Sequence, residues 1–222
     1  MRPPIRAFQM RLLTCLVTVV SACETGQPES VGAPSPAASS TPSPPPTAGP
    51  AWVAAVRELV GRPVQVPLLT PGESCPVTRK QRPVQTPPIH AAADVLGDAP
   101  VYPVPMYFGE DTTLRLDGPE TDGWYSAKAP WEGHHYQGPA VIHVRRLDAP
   151  GTGRVLPLHE SEGKFVGDAV VLRISAPPAE FPTVTKVAAL TRVPAPGCYA
   201  YQVDGLGFSE VIVFRGAAPG QQ

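Results

Sequence analysis

Cys198-Tyr199-Ala200-Tyr201-Gln202-Val203-Asp204-Gly205-Leu206-Gly207-Phe208-Ser209-Glu210-Val211-Ile212-Val213-Phe214 is the stretch on which the fold turns. Two runs of β-branched and aromatic residues flank Asp204-Gly205, and an Asp-Gly pair supplies the positive φ of a tight turn. The spacing predicts a C-terminal hairpin. Side chains alternate across a strand, so Phe208, Glu210, Ile212 and Phe214 share one face, and Val211 and Val213 share the other. Apolar residues on both sides predict that both faces of this hairpin are partly covered. In the outgoing strand Cys198 is expected on the inner face.

Upstream, short runs rich in Val, Ile, Tyr, Phe and Trp are cut by Gly and Pro at 64–68, 101–108, 112–116, 123–130, 139–147, 169–175 and 184–191. Many short, turn-bounded strands predict an all-β sandwich or barrel. One helix is expected at 51–60, where Trp52, Val53, Val56, Leu59 and Val60 form one apolar face before Gly61 and Pro63. The C-terminal hairpin resembles the last two strands of an immunoglobulin-like sandwich. That resemblance implies a tryptophan beside a disulfide. Trp124 or Trp131 is available for this role, although the spacing matches loosely. The expected fold is mainly β: an immunoglobulin-like sandwich over 51–222, with one short N-terminal helix.

The chain has 222 residues with Lys+Arg 18 against Asp+Glu 19, a net charge of −1. That balance argues against a nucleic-acid partner, whose phosphates demand a strong positive footprint. Pro 31 and Gly 20 leave little room for long helices. Asn is absent, so there is no N-glycosylation sequon.

The N-terminus carries Arg2, Arg6 and Arg11, then Leu12 to Val20, apolar apart from Thr14 and Thr18. This run is shorter than the roughly 20 residues a bilayer span needs and fits a secretory signal. Val20-Ser21-Ala22-Cys23 resembles the lipobox of bacterial lipoproteins. The resemblance implies cleavage after Ala22, a signal peptide over 1–22 and diacylglycerol on the Cys23 thiol. Val20-Ser21-Ala22 also suits an ordinary signal peptidase, which leaves a secreted protein as the alternative. Residues 24–50, with Pro34-Ser35-Pro36-Ala37-Ala38-Ser39-Ser40-Thr41-Pro42, lack any apolar period. They read as a disordered proline-rich linker that reaches at most about 80 Å at roughly 3.1 Å per residue.

Four cysteines are present. Cys15 leaves with the signal peptide and Cys23 carries lipid, so Cys75 and Cys198 are expected to pair in an oxidising compartment. The rival is a reactive Cys198 thiol. Ala195-Pro196-Gly197-Cys198-Tyr199 resembles the Ser-His-Gly-Cys signature of L,D-transpeptidases faintly, with Pro in place of His and no Arg following.

Ser74-Cys75-Pro76-Val77-Thr78, Gly123-Trp124-Tyr125-Ser126-Ala127-Lys128-Ala129-Pro130-Trp131, Tyr136 to Asp148, Arg192 to Gly205 and Phe208 to Phe214 are similar to motifs of uncharacterised bacterial lipoproteins. That resemblance is scattered over 74–216 and implies no activity.

Candidate chemistry centres on residues 124–143. Trp124, Tyr125, Trp131, His134, His135 and Tyr136 would form a ligand or partner surface if exposed together. The alternative places the tryptophans in the core. His143 with His134 or His135 and a carboxylate such as Glu132 would supply three zinc ligands, against a solvated loop over 132–138. His159-Glu160 opens no H-E-x-x-H motif, because Gly163 stands where the second His belongs. Ser209 lacks the glycines of a nucleophile elbow. Glu110, Asp111, Asp117, Glu120 and Asp122 read as a solvated acidic turn region.

The expectation is therefore a non-enzymatic, lipid-anchored binding or structural module without cofactor, on the extracytoplasmic face of a bacterial membrane. Its partner would be an envelope protein or cell-wall component. The alternative is an envelope hydrolase or metal-binding protein using His134, His135 and His143.

Overall fold

The computed structural model describes residues 49–81, 94–120, 122–179 and 184–220. The expected signal peptide over 1–22, Cys15, Cys23, most of the expected linker and His90 lie outside the described residues. The described residues belong to one compact unit, Ser43–Gln222. None of their helices is long and apolar enough to cross a membrane.

Helix α1 (Pro50–Val60) opens the fold, with a proline at its start and Gly61 at its C-cap. Pro at the first helical turn lacks an N–H that would be unpaired there anyway. β1 (Lys80–Gln81), β2 (Val95–Leu96) and β3 (Val101–Pro103) are short. A 3-10 turn, Pro105–Tyr107, leads to β4 (Thr113–Arg115). β5 (Tyr125–Lys128), β6 (Trp131–His134) and the long β7 (Gly138–Arg146) follow. Then come β8 (Arg154–Pro157), β9 (Gly163–Val166), β10 (Ala169–Ile174), β11 (Val184–Val187) and β12 (Ala189–Val193). β13 (Gly197–Gly205) and β14 (Phe208–Ala217) close the chain.

The protein is mainly β with one short α-helix. Its largest sheet has the order β4-β14-β13-β7-β10-β9, antiparallel except for the parallel β4–β14 pair. The β14-β13-β7 order matches the C-F-G sheet of an immunoglobulin-like sandwich. The opposing layer holds two three-stranded sheets, β11-β6-β3 and β5-β12-β8. These two sheets are joined along a bent antiparallel ribbon. β5 and β6 are separated by Ala129-Pro130, and β11 and β12 by Ala188. Pro130 has no N–H to give the ladder, so the strand breaks there. Its carbonyl accepts instead from the Val104 amide at 2.8 Å, while the Ala188 carbonyl accepts from Leu158 at 2.9 Å. The single strands expected over 123–130 and 184–191 are thus parts of longer runs bent at these points, and β6 runs on into residues 132–134 of the loop expected over 132–138.

One core fills the space between the layers. Ile142, Val144, Tyr199, Tyr201 and Phe214 come from the large sheet, and Val101, Trp131, Ala127, Val155, Val187 and Val193 from the other. Trp131 meets Tyr201 edge-on at 5.2 Å, and Tyr201 stacks on Phe214 at 4.4 Å. The Tyr201 hydroxyl is paired with the Thr191 hydroxyl at 2.6 Å, a bond between layers. Burial pushes the Tyr201 phenol pKa up, so it stays neutral and keeps that bond.

The outer face of the large sheet is covered too. Trp52 and Leu59 of α1 pack on Val141, Ala169 and Val171. The segment after the helix packs Val66, Leu69 and Cys75 on Leu147, Cys198, Ala200 and Val213. The strand expected at 64–68 is absent because this strap crosses a sheet face rather than joining an edge. Its backbone is held by a side chain: the Gln65 amide donates to Gln202 Oε1, and Gln202 Nε2 donates to the Pro63 carbonyl at 3.1 Å.

Cys75 and Cys198 form a disulfide, with Cα atoms 5.6 Å apart. Cys198 is on the outer face, not the inner one. Tyr199, Tyr201 and Val203 take the inward positions of β13, and the two-residue period sends Cys198 and Ala200 outward. The disulfide therefore pins the strap to the sheet, and neither Trp124 nor Trp131 packs on it as in antibody domains. It links positions 123 residues apart. Replacing both cysteines by alanine should lower unfolding free energy by about 5 kcal/mol in the loop-entropy account, read as a lower urea midpoint.

Candidate functional site

The aromatic and histidine residues of 124–136 do not share one surface. Trp131 is fully buried in the core. Trp124 is half-buried, with the guanidinium groups of Arg154 and Arg192 at 5.0 and 5.7 Å from its ring. Arg192 in turn holds Glu120 at 2.7 Å and Asp122 at 2.8 Å, so the acidic turn is a structural clamp on β12. Tyr125 packs against the main core. Tyr136 donates to the Pro139 carbonyl at 2.6 Å and accepts from the Leu206 amide at 3.1 Å. Its ring also meets Phe208 edge-on, so it braces the C-terminal hairpin turn. Strand alternation and the break at Pro130 scatter these side chains over both layers.

The histidines are dispersed for the same reason. His134 stacks on Tyr102 at 5.2 Å and pairs with Glu132 at 3.2 Å. His135 is exposed at a turn with φ of 50°. Burial pushes the Glu132 carboxyl up, but His134 and Lys186 outweigh it and hold the pKa below the ordinary glutamate value. His143 lies in β7 on the outer face of the large sheet, opposite Gln202. Among the described residues, no group of three His, Cys, Asp or Glu side chains is placed to hold a metal ion.

His143 belongs to a polar seam between the sheet and the N-terminal strap. Gln202 Nε2 donates to Asp204 at 2.9 Å, and Arg62 donates to the carbonyls of Gly205 and Phe208 at 3.1 and 3.0 Å. The Arg62 guanidinium lies 3.8 Å from the Asp204 carboxylate. His143 Nδ1 is 3.6 Å from Asp168, which pairs more closely with Arg145. Neither ring nitrogen of His143 has a hydrogen-bond partner among the described residues. Burial lowers the His143 pKa; Asp168 and Asp204 pull it up, and Arg145 pushes it down.

A different place has the form of a ligand site. A cleft of about 640 Å³ opens between the 3-10 turn and the parallel β4–β14 pair. Along β4, Leu114 points into the core while Thr113 and Arg115 face the cleft. Along β14, Phe214 points into the core while Arg215 and Ala217 face the cleft. Arg215 lies opposite Thr113, and Ala217 opposite Arg115, so the two arginines are diagonal neighbours on one face. Gly216 allows the close fit behind them, since a Cβ there would meet Leu116 Cδ1 at 3.2 Å.

The other wall carries Met106, 80% exposed, and Tyr107, whose ring has the Lys128 ammonium 5.4 Å from its centroid. Lys80 donates to the Phe108 carbonyl at 2.8 Å. The turn between the walls is tightly held. Thr112, at φ of 56°, takes the left-handed region that β-branched residues avoid. Its amide donates to Gly109 at 3.0 Å, its hydroxyl to the Thr78 carbonyl, and its carbonyl accepts from the Arg215 amide at 3.2 Å. Asp111 follows the same turn and accepts from the Thr113 hydroxyl at 2.8 Å. That bond is the main reason its carboxyl stays below the ordinary aspartate value.

No family model matches this chain, and no curated protein matches it significantly. The cleft thus has to be read from its own chemistry. The Arg215 guanidinium interacts electrostatically with Asp111 across the cleft, whereas Arg62, Arg145, Arg146 and Arg192 are each in a close ion pair with a carboxylate. Guanidinium groups beside a phenol ring and a thioether recognise an anion with an apolar part. The signal for Arg115 and Arg215 is present in the sequence: each is the polar member of an apolar alternation. Their meeting across a parallel pair is not legible there.

The polar seam generates a test. A buried neutral imidazole gains a proton when the chain unfolds below its ordinary pKa of 6.5. The unfolded state then binds more protons, so this contribution to stability is fully present above that pH and is lost as pH falls below it. The melting temperature should drop between pH 7.5 and 5.5, and His143→Gln should flatten that slope.

Proposed function

We propose that the chain is a lipid-anchored extracytoplasmic binding module, tethered through Cys23 and taking an envelope component in the arginine cleft. The observation that carries the reading is a cleft into which Arg215 faces beside Tyr107 and Met106, its charge offset in part by Asp111. Such sites are concave, part apolar and furnished with a few convergent polar groups. The Cys75–Cys198 disulfide supports an oxidising compartment, where such bonds persist. The lipobox-like Val20-Ser21-Ala22-Cys23 supports the anchor, and the proline-rich linker supports a domain held away from the bilayer.

The anchor is tested by intact mass and fractionation. The mature chain should begin at Cys23, carry diacylglycerol and sediment with membranes, and Cys23→Ala should abolish both the lipid and the sedimentation. The binding role is tested by thermal unfolding with wall fragments, glycans, lipids and metal ions. One ligand class at 100 times its Kd should add about 2.7 kcal/mol of stability. Arg215→Gln should leave the unliganded melting temperature unchanged and remove the shift. A panel without any shift, or a shift that survives Arg215→Gln, overturns the cleft as the site.

A further inference from the structure

We propose that the Cys75–Cys198 bond is a reversible redox latch, opened at the Cys75 sulfur by a dithiol protein of the Cys-x-x-Cys class. Both cysteines line an open cleft of about 480 Å³ on the outer face of the large sheet. Their exposures differ. Cys198 lies on the sheet and is only 4% exposed, whereas Cys75 is partly exposed, in the strap that covers it. Residues 70–74, which lead into Cys75, are all exposed. Exchange begins with attack of a thiolate on one sulfur, so access decides which sulfur is attacked. Cys198 is also the fixed partner. Its amide donates to Asp148 Oδ2 at 3.1 Å, and Arg146 holds that carboxylate at 2.6 Å. When the bond opens, the strap moves and the sheet does not.

The latch opens without unfolding the domain. Neither cysteine belongs to the main core between the layers. Before the latch, the Gln202 amide group holds Pro63 and Gln65. After it, the Thr78 amide donates to the Val213 carbonyl at 2.9 Å, and the Val213 amide donates to the Thr78 hydroxyl at 2.9 Å. Residues 66–77 lie between these anchors, and they grip the sheet through Val66, Leu69 and the disulfide. Once freed, this segment uncovers Leu147, Ala200 and Val213.

The chemistry selects a dithiol. A thiolate of the partner attacks Cys75 Sγ, the Cys75–Cys198 bond breaks, and Cys198 leaves as a thiolate with the bonding pair. Cys198 stays beside the mixed disulfide at high effective concentration, so it re-forms the original bond and expels a monothiol. A dithiol escapes this reversal. Its second thiolate attacks its own sulfur in the mixed disulfide, and Cys75 leaves as a thiolate. The two protons of the dithiol pass through water to the two cysteines. The partner is oxidised by two electrons to its disulfide, and the latch is reduced by two.

The test uses the full oxidised chain. Thiols freed at Cys75 and Cys198 are trapped by iodoacetamide and mapped by peptide mass. In native buffer, dithiothreitol should reduce the bond at a rate proportional to its concentration and at least tenfold faster than the chain unfolds globally. Glutathione at equal thiol concentration should reduce it at least tenfold less. A thioredoxin-type protein whose second active-site cysteine is replaced by serine should be trapped as a mixed disulfide on Cys75. The reduced chain should keep one cooperative melt at a lower temperature. Its amide exchange should rise at least tenfold over 66–77 while Tyr199, Tyr201 and Phe214 stay protected. The double variant Cys75→Ala, Cys198→Ala should show the same exchange pattern without any reductant. A reduction rate that stops rising with dithiothreitol and equals the global unfolding rate overturns the latch and leaves a structural bond. A reduced chain and a double variant that both lack a cooperative melt overturn it too. A mixed disulfide on Cys198 overturns the site of attack, and equal reduction by glutathione overturns the dithiol partner.

Discussion

Strand β13 is buried on both faces, and the rest of the molecule depends on that. Its inward residues, Tyr199, Tyr201 and Val203, build the sandwich core. Its outward residues, Cys198, Ala200, Gln202 and Asp204, hold the N-terminal strap. A strand wet on one side needs only alternation. A strand covered on both sides needs a second set of partners, and here they come from residues 62–75, far away in sequence. The apolar part of that contact is closed by the disulfide, and the polar part by Gln202, which supplies the strap with the bonds a neighbouring strand would otherwise give.

The polar seam has a cost as well as a role. A buried Asp204 and an unpaired His143 are expensive to desolvate unless charges nearby compensate. Arg62 compensates Asp204 and also binds two carbonyls at the hairpin end. Burial lowers the His143 pKa, which avoids the larger cost of a buried charge but leaves two ring nitrogens without hydrogen-bond partners among the described residues. The strap is held by the polar bonds of Arg62 and Gln202 and by the apolar clusters on either side.

The arginine cleft sits at the one parallel junction of the large sheet. Parallel pairing of β4 with β14 follows from the tight turn at Thr112, whose carbonyl receives the Arg215 amide. The same turn presents Asp111 and sets the 3-10 wall against the sheet. Backbone strain at a non-glycine residue persists only where its surroundings over-determine it, and Thr112 is fixed by three hydrogen bonds. The cleft is thus preorganised by the fold edge rather than by loop flexibility.

Much of the architecture was legible in local sequence. The hairpin and the alternation of 208–214 are decided by adjacent residues, and so are the short helix and the mainly β character. The expected Asp204-Gly205 turn, however, falls two residues later, where Gly207 takes the positive φ while Asp204 and Gly205 stay paired with Ser209 and Phe208. The Cys75–Cys198 pairing followed from compartment chemistry. The candidate site was not legible. Trp124, Trp131, His134 and His143 are close in sequence, yet strand alternation and the proline break at 130 send them to a surface clamp, the core, a Tyr102 stack and the opposite sheet face. Arg115 and Arg215 are far apart in sequence and meet only because β4 pairs with the last strand. Local periodicity decides which way a side chain points from its own strand. Which strands become neighbours depends on long-range packing, and a site made across two strands exists only once that packing is complete.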